Sequence, residues 1–141
     1  MGQIANALAT PVSFQHAGKE WKLSPWDYGI QGKLERYLEQ HAIKVAREMG
    51  QSLPESDADK LLRDTRRDIA HGMYTFGSDE VAQCLKAMPH LKHLTYLMLQ
   101  VNHPEIEKRE VEDMFRDSLD SVLGAVTQAI SDPNRQAPAI N

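Results

Sequence analysis

Six histidines and a single cysteine are the side chains of this 141-residue chain best suited to chemistry. His90 and His93 stand three positions apart, which on a helix puts two imidazoles on one face, and His103 follows about three turns later. A zinc site needs three or four converging donors. No cysteine or carboxylate completes that set at a recognisable spacing, so the pattern favours surface histidines beside a helix start, with no metal and no cofactor. Cys84, within Val81-Ala82-Gln83-Cys84-Leu85, reads as a small buried side chain and not as a nucleophile. Carboxylates cluster at Glu110, Glu112 and Asp113 and again at Asp117 and Asp120. On a helix they fall opposite Val111, Met114, Phe115 and Leu119, forming the solvated side of an amphipathic segment and not an acid–base pair. No glycine-rich phosphate loop, nucleophile elbow or Cys/His pairing occurs, so the expectation is a protein that is not an enzyme.

The bulk composition narrows the class further. A net charge of −4 argues against a general nucleic-acid coat. The cationic cluster Arg63, Arg66 and Arg67 is interleaved with Asp64 and Asp68, which makes it a mixed-sign helix face. A small DNA-contacting regulator would have to use that cluster. One cysteine excludes an intramolecular disulfide and fits a reducing compartment. No apolar run approaches the roughly 20 residues that span a bilayer, and Met1–Thr10 lacks the features of a secretory signal. With 41% apolar residues, a chain of this length is expected to build one domain.

The elements that must position these residues follow from periodicity. Val12–His16 and Lys19–Leu23 alternate apolar and polar residues around Ala17-Gly18, which predicts a β-hairpin with Val12, Phe14, Trp21 and Leu23 on one face. Ser24-Pro25-Trp26-Asp27 predicts a helix start with Ser24 as cap. The stripe Ile30, Leu34, Tyr37, Leu38, Val45 and Met49 then runs to a stop at Gly50. A second helix is expected over about 57–73, capped by Ser56, with Leu61, Leu62, Thr65 and Ile69 on its stripe. Ser78-Asp79-Glu80 opens a short third helix. A fourth covers about 90–101 with Leu91, Leu94, Leu97, Met98 and Val101 inward, and Pro104 forces a break after it. A fifth spans about 108–131 through Val111, Met114, Phe115, Leu119, Val122, Val126 and Ile130. The expected fold is mainly α with a short N-terminal hairpin, a five-helix bundle-like single domain over 12–131. A flexible arm at 1–11 and a flexible tail at 132–141 complete it.

Tyr96 and the run Leu97-Met98-Leu99 cover most of a helix circumference, more than a helix with one wet side requires. Such a helix is either central to the domain or partly an interface. Methionines spread through the helices suit irregular partners, although they also fill core gaps.

With Gly18-Lys19-Glu20-Trp21 leading into a proline-containing helix start, and His103-Pro104-Glu105 followed by Glu110-Val111-Glu112-Asp113, the chain resembles the tail assembly chaperones of long-tailed bacteriophages over about residues 12–130. The resemblance implies a non-catalytic protein of the host cytoplasm. It would coat the helical tape measure protein, keep it soluble, help recruit tail tube subunits and leave before the virion is complete. It implies protein partners, a homo-oligomer, no nucleic acid and no membrane. The residues expected to meet a partner are Trp21, Trp26, Leu97, Met98, Val101, Met114, Phe115 and Leu119. The competing expectation is a permanent virion component, such as a head–tail adaptor, connector or core protein.

Overall fold

A computed structural model describes residues 11–131. Most of the expected arm and all of the expected tail therefore lie outside the described residues. The chain runs through strands β1 (Val12–His16) and β2 (Lys19–Leu23), then helices α1 (Tyr28–Gly50), α2 (Glu55–Ala70), α3 (Asp79–Cys84), α4 (Met88–Gln100), α5 (Lys108–Asp117) and α6 (Leu119–Ser131). The mainly helical fold with an N-terminal hairpin agrees with the periodicity; the helix number does not, being six among the described residues instead of five.

The described residues form two compact units. One is built from residues 11–30 together with 91–131, the other from the continuous stretch Gln31–His90.

In the first unit the hairpin pairs Val12 with Leu23, Phe14 with Trp21 and His16 with Lys19. Ala17 and Gly18 both have positive φ, 52° and 75°, the pattern of a tight hairpin turn whose twist matches the strands. Phe14, Trp21 and Leu23 are buried, as the alternation requires, while Val12 is half-buried. Ser24 does not cap α1. Its N–H donates to the carbonyl of Met98 at 2.9 Å, and its hydroxyl donates to the carbonyl of Pro25 at 3.1 Å. The cap is Asp27, whose Oδ1 accepts from the N–H of Ile30 at 2.7 Å, a carboxylate placed at the positive end of the helix.

α4 is the centre of this unit. Leu94, Thr95, Met98 and Leu99 are fully buried and Leu97 nearly so, which settles the wide apolar girth in favour of a core helix. Thr95 satisfies its hydroxyl by donating to the carbonyl of Leu91 at 2.8 Å. Val101, expected inward, lies past the end of α4 and is 53% exposed. The expected long last helix breaks at Ser118, whose backbone (φ −136°, ψ 39°) leaves the helical region. Its N–H closes α5 on the Met114 carbonyl, its own carbonyl opens α6 by accepting from Val122, and its hydroxyl meets Nδ1 of His16 at 2.9 Å. The break thus falls at the residue whose side chain is tied to the hairpin.

In the second unit, α1 and α2 meet at a close approach where Gly50 faces Ala58; a Cβ on Gly50 would sit 3.1 Å from the Ala58 Cβ. α2 begins at Glu55, directly after Pro54, so Ser56 lies in its first turn and does not cap it. It ends at Ala70, three residues earlier than the periodicity suggests. The N–H of Gly72 bonds to the Ile69 carbonyl and that of Met73 to the Asp68 carbonyl, with Gly72 at φ 84°. This is the Schellman closure, and its left-handed residue favours glycine. The segment after it is tied down by Glu35, whose Oε2 accepts from the N–H of Phe76 at 2.6 Å. Ser78 then caps α3, its hydroxyl oxygen accepting from the N–H of Val81 at 3.2 Å. Pro89 falls in the opening turn of α4, where its missing N–H costs nothing.

Candidate protein-binding groove

α1 presents Leu38, Ala42, Val45, Ala46 and Met49 along one side, the i, i+3, i+4, i+7 spacing of a helix stripe. Leu38 and Ala46 are buried, but Ala42 and Val45 are only half-buried and Met49 is 54% exposed. Nothing in the unit closes over them. α2 contributes Leu61 and Thr65 and buries no residue along its whole length. Tyr74, Glu80 and Cys84 complete the wall, leaving a cleft of about 330 Å³.

Part of its lining is polar. His90, expected on the surface, is buried at 8% exposure, and its Nδ1 lies 3.0 Å from the hydroxyl of Tyr37. The ring of His41 packs edge-on against His90 with centroids 4.5 Å apart. Burial, followed by the neighbouring His41, pushes the pKa of His90 below the ordinary histidine value, so the ring stays neutral at neutral pH. Burial, then the carboxylate of Glu80, raises the pKa of the Cys84 thiol. A raised thiol pKa means little thiolate and weak nucleophilicity, in line with the inert cysteine expected from sequence, although Cys84 is half-buried at the cleft wall and not sealed in a core. Mostly apolar walls, a neutral buried imidazole and a protonated thiol suit the cleft to receiving apolar side chains, with Glu80 as its one acidic lining residue.

Of the eight residues expected to meet a partner, five are packed inside the first unit: Trp21, Leu97, Met98, Met114 and Phe115. Trp26 is half-buried and its N–H reaches the Ala129 carbonyl at 3.5 Å. Val101 and Leu119 are exposed, at 53% and 37%. None of the eight lines the cleft of the second unit. The histidines separate likewise: His90 lies in the second unit, whereas His93 and His103 lie in the first. Among the described residues no group of three His, Cys, Asp or Glu is placed to hold a metal ion.

No family model, curated protein or solved structure matches this chain.

The groove residues were visible in the sequence only in part. Val45 and Met49 stand out as the C-terminal end of the α1 stripe, and Leu61 and Thr65 as part of the α2 stripe. What periodicity does not reveal is that the α2 stripe is too thin to cover them: Leu61, Leu62, Ile69 and Thr65 are its only larger uncharged side chains, on a mostly charged helix. That thinness is the signal for an unfilled apolar surface. The acidic residues behave as expected, with Glu112, Asp117 and Asp120 at the surface. Glu112 pairs with Lys92 at 2.7 Å, and Arg116 bridges Asp113 and Asp117 at 3.0 Å each. The Arg63, Arg66 and Arg67 face is solvated and mixed in sign, Asp64 meeting both Lys60 and Arg67. No described helix is long and apolar enough to cross a membrane.

Proposed function

We propose that this protein is an assembly chaperone of the long-tailed phage type. It would work in the host cytoplasm and hold the apolar stripe of a tape measure helix in the groove between α1 and α2. The observation that carries this reading is that Ala42, Val45 and Met49 line an open cleft which α2, with no buried residue, leaves unfilled. Helix-in-groove recognition uses anchors at i, i+3, i+4 and i+7, and the Met49 side chain at the rim can adapt to an irregular partner. The likeness of Gly18-Lys19-Glu20-Trp21 and His103-Pro104-Glu105 to that family supplies the identity of the partner.

The test is co-expression with a tape measure fragment. The wild-type chain should keep the fragment in the soluble fraction and co-purify with it. Met49→Glu changes an exposed side chain, so stability should move by no more than about 0.5 kcal/mol. The same change should return the fragment to the insoluble fraction by putting a charge on the groove wall. A fragment that stays soluble with Met49→Glu, or that is insoluble with the wild type, rules the groove reading out.

A further inference from the structure

The loop between α4 and α5 carries Asn102-His103-Pro104-Glu105, and two of its side chains take an unusual position in the first unit. A two-residue hairpin closes on a hydrogen-bonded pair, here His16 with Lys19, after which bonded and non-bonded pairs alternate. Lys22, opposite Ser13, falls on a non-bonded position, so its N–H and C=O point away from β1 toward the free edge of the sheet. Both are taken up by the loop. The N–H of Lys22 donates to Nε2 of His103 at 3.0 Å, and its carbonyl accepts from Nδ2 of Asn102 at 3.4 Å. The two side chains do at this edge what a third strand would do. The imidazole is held by the Trp21 ring at a centroid distance of 4.8 Å, and the Lys19 ammonium stands 4.0 Å from the same indole.

We propose that Asn102 and His103 form a latch on the outer edge of β2 whose His103 half is released by acid: a proton taken from solvent onto Nε2 of His103 turns the acceptor for the Lys22 amide into a second donor and frees that amide. Two donors facing each other cannot share a hydrogen bond, so the exposed Lys22 amide turns to water once the ring is protonated. An uncovered strand edge is in turn a template for pairing with another strand.

The charges around the ring favour the neutral, latched form. Lys19 and Lys22 face it from β2, Glu110 faces it from α5, and Glu105 of its own loop lines the same cleft. Burial first, then Lys19, with Lys22 as a lesser contribution, lowers the pKa of His103 and outweighs the opposing pull of Glu110. The latch is therefore fully made above the ordinary histidine value of about 6.5 and is lost as pH falls from there through the lowered value of the covered ring.

Hydrogen exchange on the full chain, followed amide by amide by NMR, decides the matter. The protection factor of the Lys22 amide should drop by about tenfold per pH unit across that window, one proton being coupled to release. The Trp21 amide, paired with Phe14 inside the hairpin, should hold its protection. His103→Gln keeps a carbonyl acceptor that does not titrate, so Lys22 protection should become independent of pH. Three results overturn the proposal: a wild-type Lys22 amide whose protection is flat across the window, a Trp21 amide that loses protection in parallel, or a His103→Gln chain that keeps the wild-type pH dependence. The first two need no variant, so they stand even if His103→Gln does not fold.

Discussion

At the scale of single residues, two causes lower the pKa of His90, and they are separable. Burial is the larger cause and the ring of His41 the smaller. Removing the second should leave the first. In His41→Gln the pKa of His90, followed by NMR titration of its ring protons, should rise toward the ordinary histidine value without reaching it; a value that does not rise would show that His41 exerts no field on the buried ring. The same lowered pKa makes His90 a source of acid sensitivity. Its neutral form stabilises the second unit above about pH 6.5, and that contribution is lost as pH falls through the folded value. The sequence shows the His90 and His93 spacing but not what becomes of it. His90 finds its partners on α1, at Tyr37 and His41, and a hydrogen bond spanning 53 positions leaves no trace in local spacing.

At the scale of elements, end chemistry decides where helices begin and stop. α3 has only six residues, too few to persist on propensity alone, so its serine cap matters more than on a long helix. Ser78→Ala removes the acceptor for the Val81 N–H and the donor to the Met73 carbonyl, which lies 2.7 Å away. It should lower unfolding stability by about 1 kcal/mol in urea titration, and a loss near zero would show that Val81 and its neighbours hold α3 without the cap. Caps also explain which boundaries were legible. Ser78 was, because serine followed by two acids is a local signature. Ser24 looked equally convincing and is not a cap, since its backbone is drawn to Met98, a residue far along the chain. Ser118 gave no warning, because the apolar spacing of Val111 to Val126 continues across it while the hydroxyl is committed to His16, 102 positions away. Local chemistry was readable; long-range hydrogen bonds that override it were not.

At the scale of the whole molecule, the mainly helical architecture with its hairpin followed from periodicity, whereas the groove came from an imbalance between helices. α1 offers more apolar surface at Ala42, Val45 and Met49 than α2 covers, and periodicity rates each helix separately. The division of the chain has a further consequence. The second unit is one unbroken stretch of sequence, but the first is assembled from two distant pieces, joined by the Lys22 to His103 bond across 81 positions and the His16 to Ser118 bond across 102. Joining them closes a long loop, and the entropy of that closure must be met before any of these bonds forms. Local topology folds faster than non-local topology. In pulse-labelled refolding, amides of α1 and α3 should therefore become protected before those of Lys22 and Ser24, whose acceptors His103 and Met98 lie in the distant piece, and simultaneous protection would refute a stepwise order. A chain emerging from the ribosome would thus complete its middle while its first strands still wait for their partners to be made.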